Sequence, residues 1–171
     1  MEVSGSFLSN TIPPKEAVKI FDNSIVYYIH VDIMDGKFVD NKTYTVSEVT
    51  KLSELTTKML DIHLMVKNPE KYIDELSMLN TKYITFHYEA VKNHIEIINH
   101  IKNNGLEVGI AINPETSPKD IFPLIKYLDL IIIMSVHPGK SGQTFLNSVL
   151  YKIDVLKKYI TDNNLKTKTN L

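Results

Sequence analysis

Short apolar segments alternate with amphipathic segments along the whole chain. Each apolar segment has the length and the β-branched content of a strand, and the segments between them space apolar residues three or four positions apart, as helices do. The pattern predicts strands that are each followed by a helix, namely Glu2 to Leu8, Val26 to Met34, Met59 to Val66, Tyr83 to His87, Leu106 to Ile112 and Leu130 to Val136.

This order of elements indicates an α/β protein with a parallel sheet and right-handed crossovers. The segment Leu130 to Met134 is almost continuously apolar, which is typical of a parallel strand buried on both faces. A closed (β/α)₈ barrel and an open doubly wound sheet both fit the pattern. Both folds place their functional site at the C-terminal ends of the strands, so the pattern predicts where a site lies but leaves the topology open.

Polar side chains recur on one face of two successive strands. Alternate residues of a strand point to opposite faces. The polar faces carry histidine, carboxylate and methionine, namely His30, Asp32 and Met34 in the first strand and Asp61, His63 and Met65 in the second. A hydrogen-bonded polar core would explain one such histidine, but two alternating sets favour a site for a divalent cation, which imidazole and carboxylate groups bind well.

Composition narrows the class of protein. The 171 residues, 43% hydrophobic and 23% charged, suit one globular domain over residues 1–171. The formal net charge of -1 gives no reason to expect nucleic acid or a membrane surface as partner. The sequence has no cysteine, no signal-peptide pattern at its beginning and no apolar run that could cross a bilayer, so we expect a cytoplasmic protein.

Three motifs carry a resemblance to a known family. They are His30 to Val39, Asp61 to Val66 and Met134 to Phe145. In these motifs, and in their order and spacing, the chain resembles the ribulose-phosphate 3-epimerase family, and the resemblance extends over essentially the whole chain from Gly5 onward. It implies a TIM barrel that interconverts ribulose 5-phosphate and xylulose 5-phosphate, a reaction of the pentose phosphate pathway that passes through a 2,3-enediolate.

The resemblance also implies a set of site residues. A divalent metal cation, for which iron, zinc, manganese and cobalt are all plausible, would be held by His30, Asp32 and His63. Asp32 would also be the catalytic base that removes the substrate proton. The substrate, a small sugar phosphate, would contact Ser6, His63, Met34, Met65, Met134, Gly139, Lys140, Ser141 and Gly142. By contrast, His87 at the end of the fourth strand is interpreted as a hydrogen-bonded core histidine.

The C-terminal part of the sequence departs from the family pattern. In the family the opposing acid is an aspartate in an Asp-Gly-Gly segment of the seventh strand, and residues Leu165 to Leu171 contain no such segment. We therefore expect six of the eight βα units of the barrel, open edges at the first and sixth strands, and impaired epimerisation. The alternatives are an epimerase for a hexulose phosphate such as allulose 6-phosphate, and a non-catalytic truncated remnant; a homo-oligomer is compatible with each.

Overall fold

The strands and helices alternate along the chain as the hydrophobic pattern predicts. A computed structural model describes residues 3–8, 11–140 and 142–170. The strands are β1 (Ser4–Ser6), β2 (Tyr28–Met34), β3 (Met59–Met65), β4 (Thr81–His87), β5 (Glu107–Ile112), β6 (Leu130–Ile133) and β7 (Lys168–Asn170). The α-helices are α1 (Pro14–Asp22), α2 (Val46–Ser53), α3 (Glu70–Ser77), α4 (His94–Asn103), α5 (Phe122–Ile125) and α6 (Leu150–Asp162). Among the described helices, none is long and apolar enough to span a membrane.

The sheet topology is that of a curled half-barrel. All the strand pairs are parallel, and the strands lie side by side in chain order from β1 to β7. A doubly wound sheet reverses its strand order at a switch point, so this sequential order excludes that alternative. Ser4 at one end of the sheet and Asn170 at the other border the same cavity of about 640 Å³, which shows that the sheet curls around its concave face.

The prediction of six strands is wrong, because the described residues include a seventh. β7 pairs with β6 from Lys168 beside Leu130 to Asn170 beside Ile132. The sequence Lys-Thr-Asn gives no apolar signal, and an edge strand with two exposed residues needs none. The hydroxyl of the preceding Thr167 lies within 3.0 Å of the carbonyl oxygens of Ile125 and Leu128, which anchors the approach to β7. Within the described residues, the edge strands of the sheet are therefore β1 and β7.

The two faces of the sheet differ in chemistry. The convex face packs against the helices in one continuous apolar core, to which the strands contribute Ile29, Val31, Ile33, Ile62, Leu64, Ile84, Phe86, Val108, Ile110, Ile131 and Ile133. The concave face has a smaller apolar cluster of Tyr83, Ala111, Leu130 and Ile132. His30, Asp32 and His63 alternate with core residues along β2 and β3, so they lie on this concave face. The helices therefore stabilise the sheet from one side and leave the other side free for polar side chains.

Gly109 permits a close contact between β4 and β5. It pairs with Thr85, and a Cβ atom at position 109 would lie 2.1 Å from Thr85 Oγ1 and 2.9 Å from Thr85 Cβ. Rotation of the threonine could relieve the first contact but not the second. Thr85 is fully buried, and its hydroxyl has no hydrogen-bond partner in the described part of the chain.

We predict that Gly109→Ala lowers the free energy of unfolding by about 1–3 kcal/mol, because the added methyl group forces the two strands apart. Thr85→Ala should lessen this cost, so that in a double-mutant cycle the two changes are non-additive by more than about 0.5 kcal/mol. Urea denaturation of the four proteins measures the cycle. Strictly additive costs would show that the two side chains do not compete for the same space.

Candidate metal centre

The register between β2 and β3 brings the predicted metal ligands together. Asp32 lies beside His63, and His30 lies beside Asp61. Paired positions of neighbouring parallel strands send their side chains to the same face, so these groups share the concave side. The ligand atoms that His30, Asp32 and His63 offer all lie within 4.8 Å of one another.

Asp32 is at the centre of this cluster. His30 Nε2 lies 3.3 Å and His63 Nδ1 lies 3.1 Å from the same carboxylate oxygen, Asp32 Oδ1. The other oxygen, Oδ2, accepts a hydrogen bond of 3.3 Å from the hydroxyl of Ser6 on β1. Asp32 itself is 8% exposed. The two rings and the carboxylate thus converge on one small volume, with the serine behind the carboxylate.

Each histidine ring is also held on the side that faces away from Asp32. His30 Nδ1 donates to Asp61 Oδ2 at 2.8 Å, and the hydroxyl of Ser4 donates to the same oxygen at 2.8 Å. His63 Nε2 lies 2.9 Å from Nε2 of His87, the last residue of β4. These outer contacts fix the orientation of both rings.

The two carboxylates of the cluster stabilise positive charge on His30, which lies between them. Burial by itself would lower the pKa of His30, but its hydrogen bonds with Asp32 and Asp61 and the charges of both carboxylates outweigh burial and raise that pKa to about 10. Burial by itself would raise the pKa of Asp32, yet the hydrogen bonds with His30 and His63 hold it well below its usual range. The cluster therefore keeps Asp32 ionised and attracts positive charge.

The residues fit a divalent cation. Two imidazole nitrogens and one carboxylate oxygen are the ligand set that zinc and the neighbouring transition metals take in catalytic sites, where a further position stays open for water or substrate. The donor atoms of His30, Asp32 and His63 face one another across distances that one ion could bridge. The expectation of a metal site is thus matched by a suitable donor set on the concave face.

The predicted methionines lie on the same face, and two of them adjoin the cluster. Met34 and Met65 are paired in the sheet, each two residues after a cluster member, and both are buried. Met134, just after β6, is half-buried and packs against the apolar cluster of Tyr83 and its neighbours. The sheet therefore places a thioether pair beside Asp32 and His63, and the third thioether farther around the curl.

The predicted glycine-rich segment follows β6 and packs against the loop after β2. Gly139 has a φ of 102°, its carbonyl oxygen accepts a hydrogen bond from Asn41, and a Cβ atom there would lie 2.8 Å from Val39 Cβ. Lys140 and Gly142 are exposed, and Ser141 lies outside the described residues. Over the described ranges, the recorded polar contacts of this segment do not reach the histidine–aspartate cluster. Its predicted contact with substrate stays a prediction.

Sequence reasoning placed Asp61 on the polar face without a role of its own, and it assigned no site role to His87 or Glu89, which also surround the cluster. His87 is buried and hydrogen-bonded, as expected of a core histidine, but its partner is His63. Strand alternation places His87 on the concave face with Tyr83, so this contact could have been anticipated. Glu89 lies in the 3₁₀ turn Tyr88–Ala90. The two-residue alternation of strand side chains does not apply there, so only the folded structure shows where Glu89 lies.

We predict that Asp61→Asn destabilises the chelator-treated protein by about 3 kcal/mol between pH ~4 and ~6.5, because it breaks a buried ion pair. The raised pKa of His30 gives stability that is complete below the ordinary histidine pKa and is lost as pH rises toward about 10. The lowered pKa of Asp61 gives stability that is lost on acidification below its ordinary value. The destabilisation should therefore shrink on both sides of this window.

Thermal denaturation across pH measures this effect. Glu115→Gln is the matched control, since Glu115 faces the exposed His137 and its pair should contribute less than about 1 kcal/mol. A cost of Asp61→Asn that stays constant from pH 5 to pH 10 would contradict the prediction.

Comparison with known proteins supports the family resemblance. The sequence model of the ribulose-phosphate 3-epimerase family matches residues 2–171. The chain is 40% identical over 151 residues to a ribulose-phosphate 3-epimerase from Schizosaccharomyces pombe, covering 83% of this chain and 66% of the relative. It is 36% identical over 154 residues to the enzyme of that name from Methanocaldococcus jannaschii, covering 90% of this chain and 65% of the relative.

A solved structure supports the fold. The N-terminal domain of a protein from Bacteroides vulgatus that is provisionally named an aldolase aligns with a TM-score of 0.63 at 12% identity, covering 99% of this chain and 72% of that one. At this identity the likeness concerns the fold alone. The chain spans about two thirds of the length of the curated relatives it matches, with 66% and 65% for the two above. On its sequence match and its half-barrel of parallel strands, the chain belongs to the ribulose-phosphate 3-epimerase family.

Proposed function

We propose that this chain removes the proton at carbon 3 of ribulose 5-phosphate or xylulose 5-phosphate, with a divalent cation held by His30, Asp32 and His63. The observation that carries the proposal is the convergence of two imidazole rings on one oxygen of a buried, ionised carboxylate. The names of the relatives supply the substrate class. The cation would act as a Lewis acid that stabilises the negative charge formed when the proton leaves.

In this proposal Asp32 is the base. A proton next to a ketone is weakly acidic, so the base must be ionised and within hydrogen-bond reach of the carbon. Asp32 is held ionised by its two histidines, and Ser6 fixes its second oxygen. The substrate would lie over the concave face, where Met34 and Met65 offer a polarisable surface that neither donates nor accepts protons at neutral pH.

Completion of the epimerisation needs an acid that faces the opposite side of the substrate. The described residues of β7, the strand on which the resemblance places that acid, are Lys168, Thr169 and Asn170. Gly139, Lys140 and Gly142 remain the proposed phosphate contacts, with the exposed Lys140 as the positive charge.

The proposed partner is thus a sugar phosphate, and the proposal involves no nucleic acid. One relative from rice, 36% identical over 135 residues, is named a cytoplasmic isoform, and we propose the same compartment for this chain.

Solvent deuterium exchange tests the reaction. Ribulose 5-phosphate is incubated in deuterium oxide with the protein and added zinc or manganese, and NMR follows both deuterium at carbon 3 and the appearance of xylulose 5-phosphate. We expect deuterium to appear at carbon 3 only when both the protein and the metal are present. Asp32→Asn should abolish the exchange and the formation of xylulose 5-phosphate, since it removes the base but keeps the shape of the side chain.

Asp162→Asn, on the exposed end of α6, is the matched control and should leave exchange unchanged. Circular dichroism establishes that each variant is folded. Absence of exchange from folded, metal-supplemented wild-type protein, or exchange that persists in Asp32→Asn, would overturn the proposed function.

Metal binding gives a separate prediction. A cation that binds only the folded state at about 100 times its dissociation constant should stabilise the protein by about 2.7 kcal/mol. Zinc should therefore raise the melting temperature of wild-type protein, and a chelator should reverse the rise. His63→Asn should remove most of this response, whereas His94→Asn, which changes a histidine that contacts the carbonyl oxygen of Tyr88, should retain it. An equal response from both variants would contradict the assignment of His63.

A further inference from the structure

A line of hydrogen bonds leads from the candidate metal centre through His87 to Glu89, whose side chain is 24% exposed. His63 Nε2 lies 2.9 Å from His87 Nε2, and His87 Nδ1 lies 3.3 Å from Glu89 Oε2. His87 is completely buried. The mechanism proposed above uses neither His87 nor Glu89, so their arrangement calls for a physical reason.

The direction of these hydrogen bonds follows from the chemistry of the groups. An ionised carboxylate can only accept, so His87 Nδ1 donates to Glu89. A buried imidazole next to another imidazole is neutral and carries a single proton, which leaves His87 Nε2 as an acceptor. His63 Nε2 must then donate to it. Without a cation, His63 Nδ1 donates to the ionised Asp32 Oδ1 at 3.1 Å. With a cation bound, Nδ1 would give up this proton and its electron pair would be the one that binds, while Nε2 keeps its proton toward His87.

We propose that Glu89, acting through His87, selects the His63 tautomer whose Nδ1 is free to bind the cation. The inference rests on the metal site of the proposed function and deepens it. Glu89 and His87 are positioning residues, because neither touches the cation or the substrate in this proposal. Such outer partners of metal-binding histidines fix the ring tautomer and orientation, and their loss typically weakens metal binding.

The glutamate is itself held firmly in one orientation. Its Oε1 accepts a hydrogen bond of 2.8 Å from the backbone N–H of Asn113 and another from the hydroxyl of Thr116. Lys152 of α6, which is 1% exposed, donates to the carbonyl oxygens of Asn113 and Thr116 at 2.8 and 2.7 Å. The buried lysine thus fixes the loop after β5, and the loop presents both donors to the glutamate.

His30 provides an internal comparison. Its Nδ1 donates directly to Asp61, so Nε2 is the ring nitrogen that faces Asp32. Each ring is therefore supported by a carboxylate. Asp61 contacts His30 directly, whereas Glu89 is connected to His63 through His87. Both arrangements place the ring nitrogen that would bind a metal on the side that faces Asp32 Oδ1.

Glu89→Gln hardly changes the volume of the side chain but should reverse the direction of the hydrogen bonds that connect residue 89, His87 and His63. The N–H of Asn113 must still be accepted by the amide oxygen, so the amide nitrogen faces His87 and donates to Nδ1. His87 then carries its proton on Nε2 and donates to His63 Nε2, which moves the His63 proton to Nδ1 and blocks the metal-binding atom. Glu89→Asp keeps an acceptor and is the conservative variant. Asp74→Asn is the matched control, since Asp74 faces the surface His100.

The experiment measures zinc affinity by competition with a chromophoric chelator and the ring protonation of His63 by ¹⁵N NMR of the zinc-loaded protein. In wild-type protein we expect zinc on Nδ1 and the proton on Nε2. Glu89→Gln should lower zinc affinity about 10- to 100-fold, while Glu89→Asp retains most of it and Asp74→Asn all of it. Circular dichroism checks that each variant is folded.

The outcomes separate this inference from the function on which it rests. Zinc on Nε2 of His63 in wild-type protein would overturn the inference, and so would a folded Glu89→Gln variant that binds zinc as tightly as wild type. In both of these cases the metal site itself would stand. A folded wild-type protein that binds no zinc, manganese or cobalt would overturn the metal site and the inference together.

Discussion

The parallel register of β2 against β3 is the constraint on which the candidate site depends. It places Asp32 beside His63, His30 beside Asp61 and Met34 beside Met65. A slip of one residue would turn every polar side chain of β2 toward the helices and every isoleucine toward the concave face. The apolar core on the convex side thus fixes the geometry of the polar cluster on the other side, because it tolerates only one register. Stability and site geometry are set by the same strand pairing.

The concave cluster would be costly to bury without this arrangement. It gathers ionisable groups that are almost completely shielded from water, and an unpaired charge in such a place is strongly unfavourable. Nearly every charged atom has a partner: Ser6 and two histidines surround Asp32, while Ser4 and His30 hold Asp61. Asp61 Oδ1 is an exception, with no partner in the described part of the chain. The polar network is therefore organised about the histidines.

Sequence pattern was enough to predict much of this structure. Strand alternation placed His30, Asp32 and His63 on one face, because a period of two needs no tertiary information. It could not distinguish a barrel from a doubly wound sheet, since both have the same order of strands and helices and only strand neighbours differ. β7 escaped prediction because an edge strand lacks the apolar signal. Glu89 escaped it because turn geometry, and not periodicity, directs that side chain toward His87.

The candidate donor set and the groups that support it lie in neighbouring elements of the fold. The predicted ligands come from β2 and β3 alone, and the groups that support them come from β1, β4, the loop after β5 and α6. Every one of these elements lies within the seven-stranded half-barrel. In a barrel site, residues at the ends of several different strands share the chemistry. In the proposed reaction, the base and the cation ligands would come from the adjacent strands β2 and β3, whereas an acid for the opposite face of the substrate would have to come from another strand. On this proposal, the register between β2 and β3 would position every group that begins the reaction.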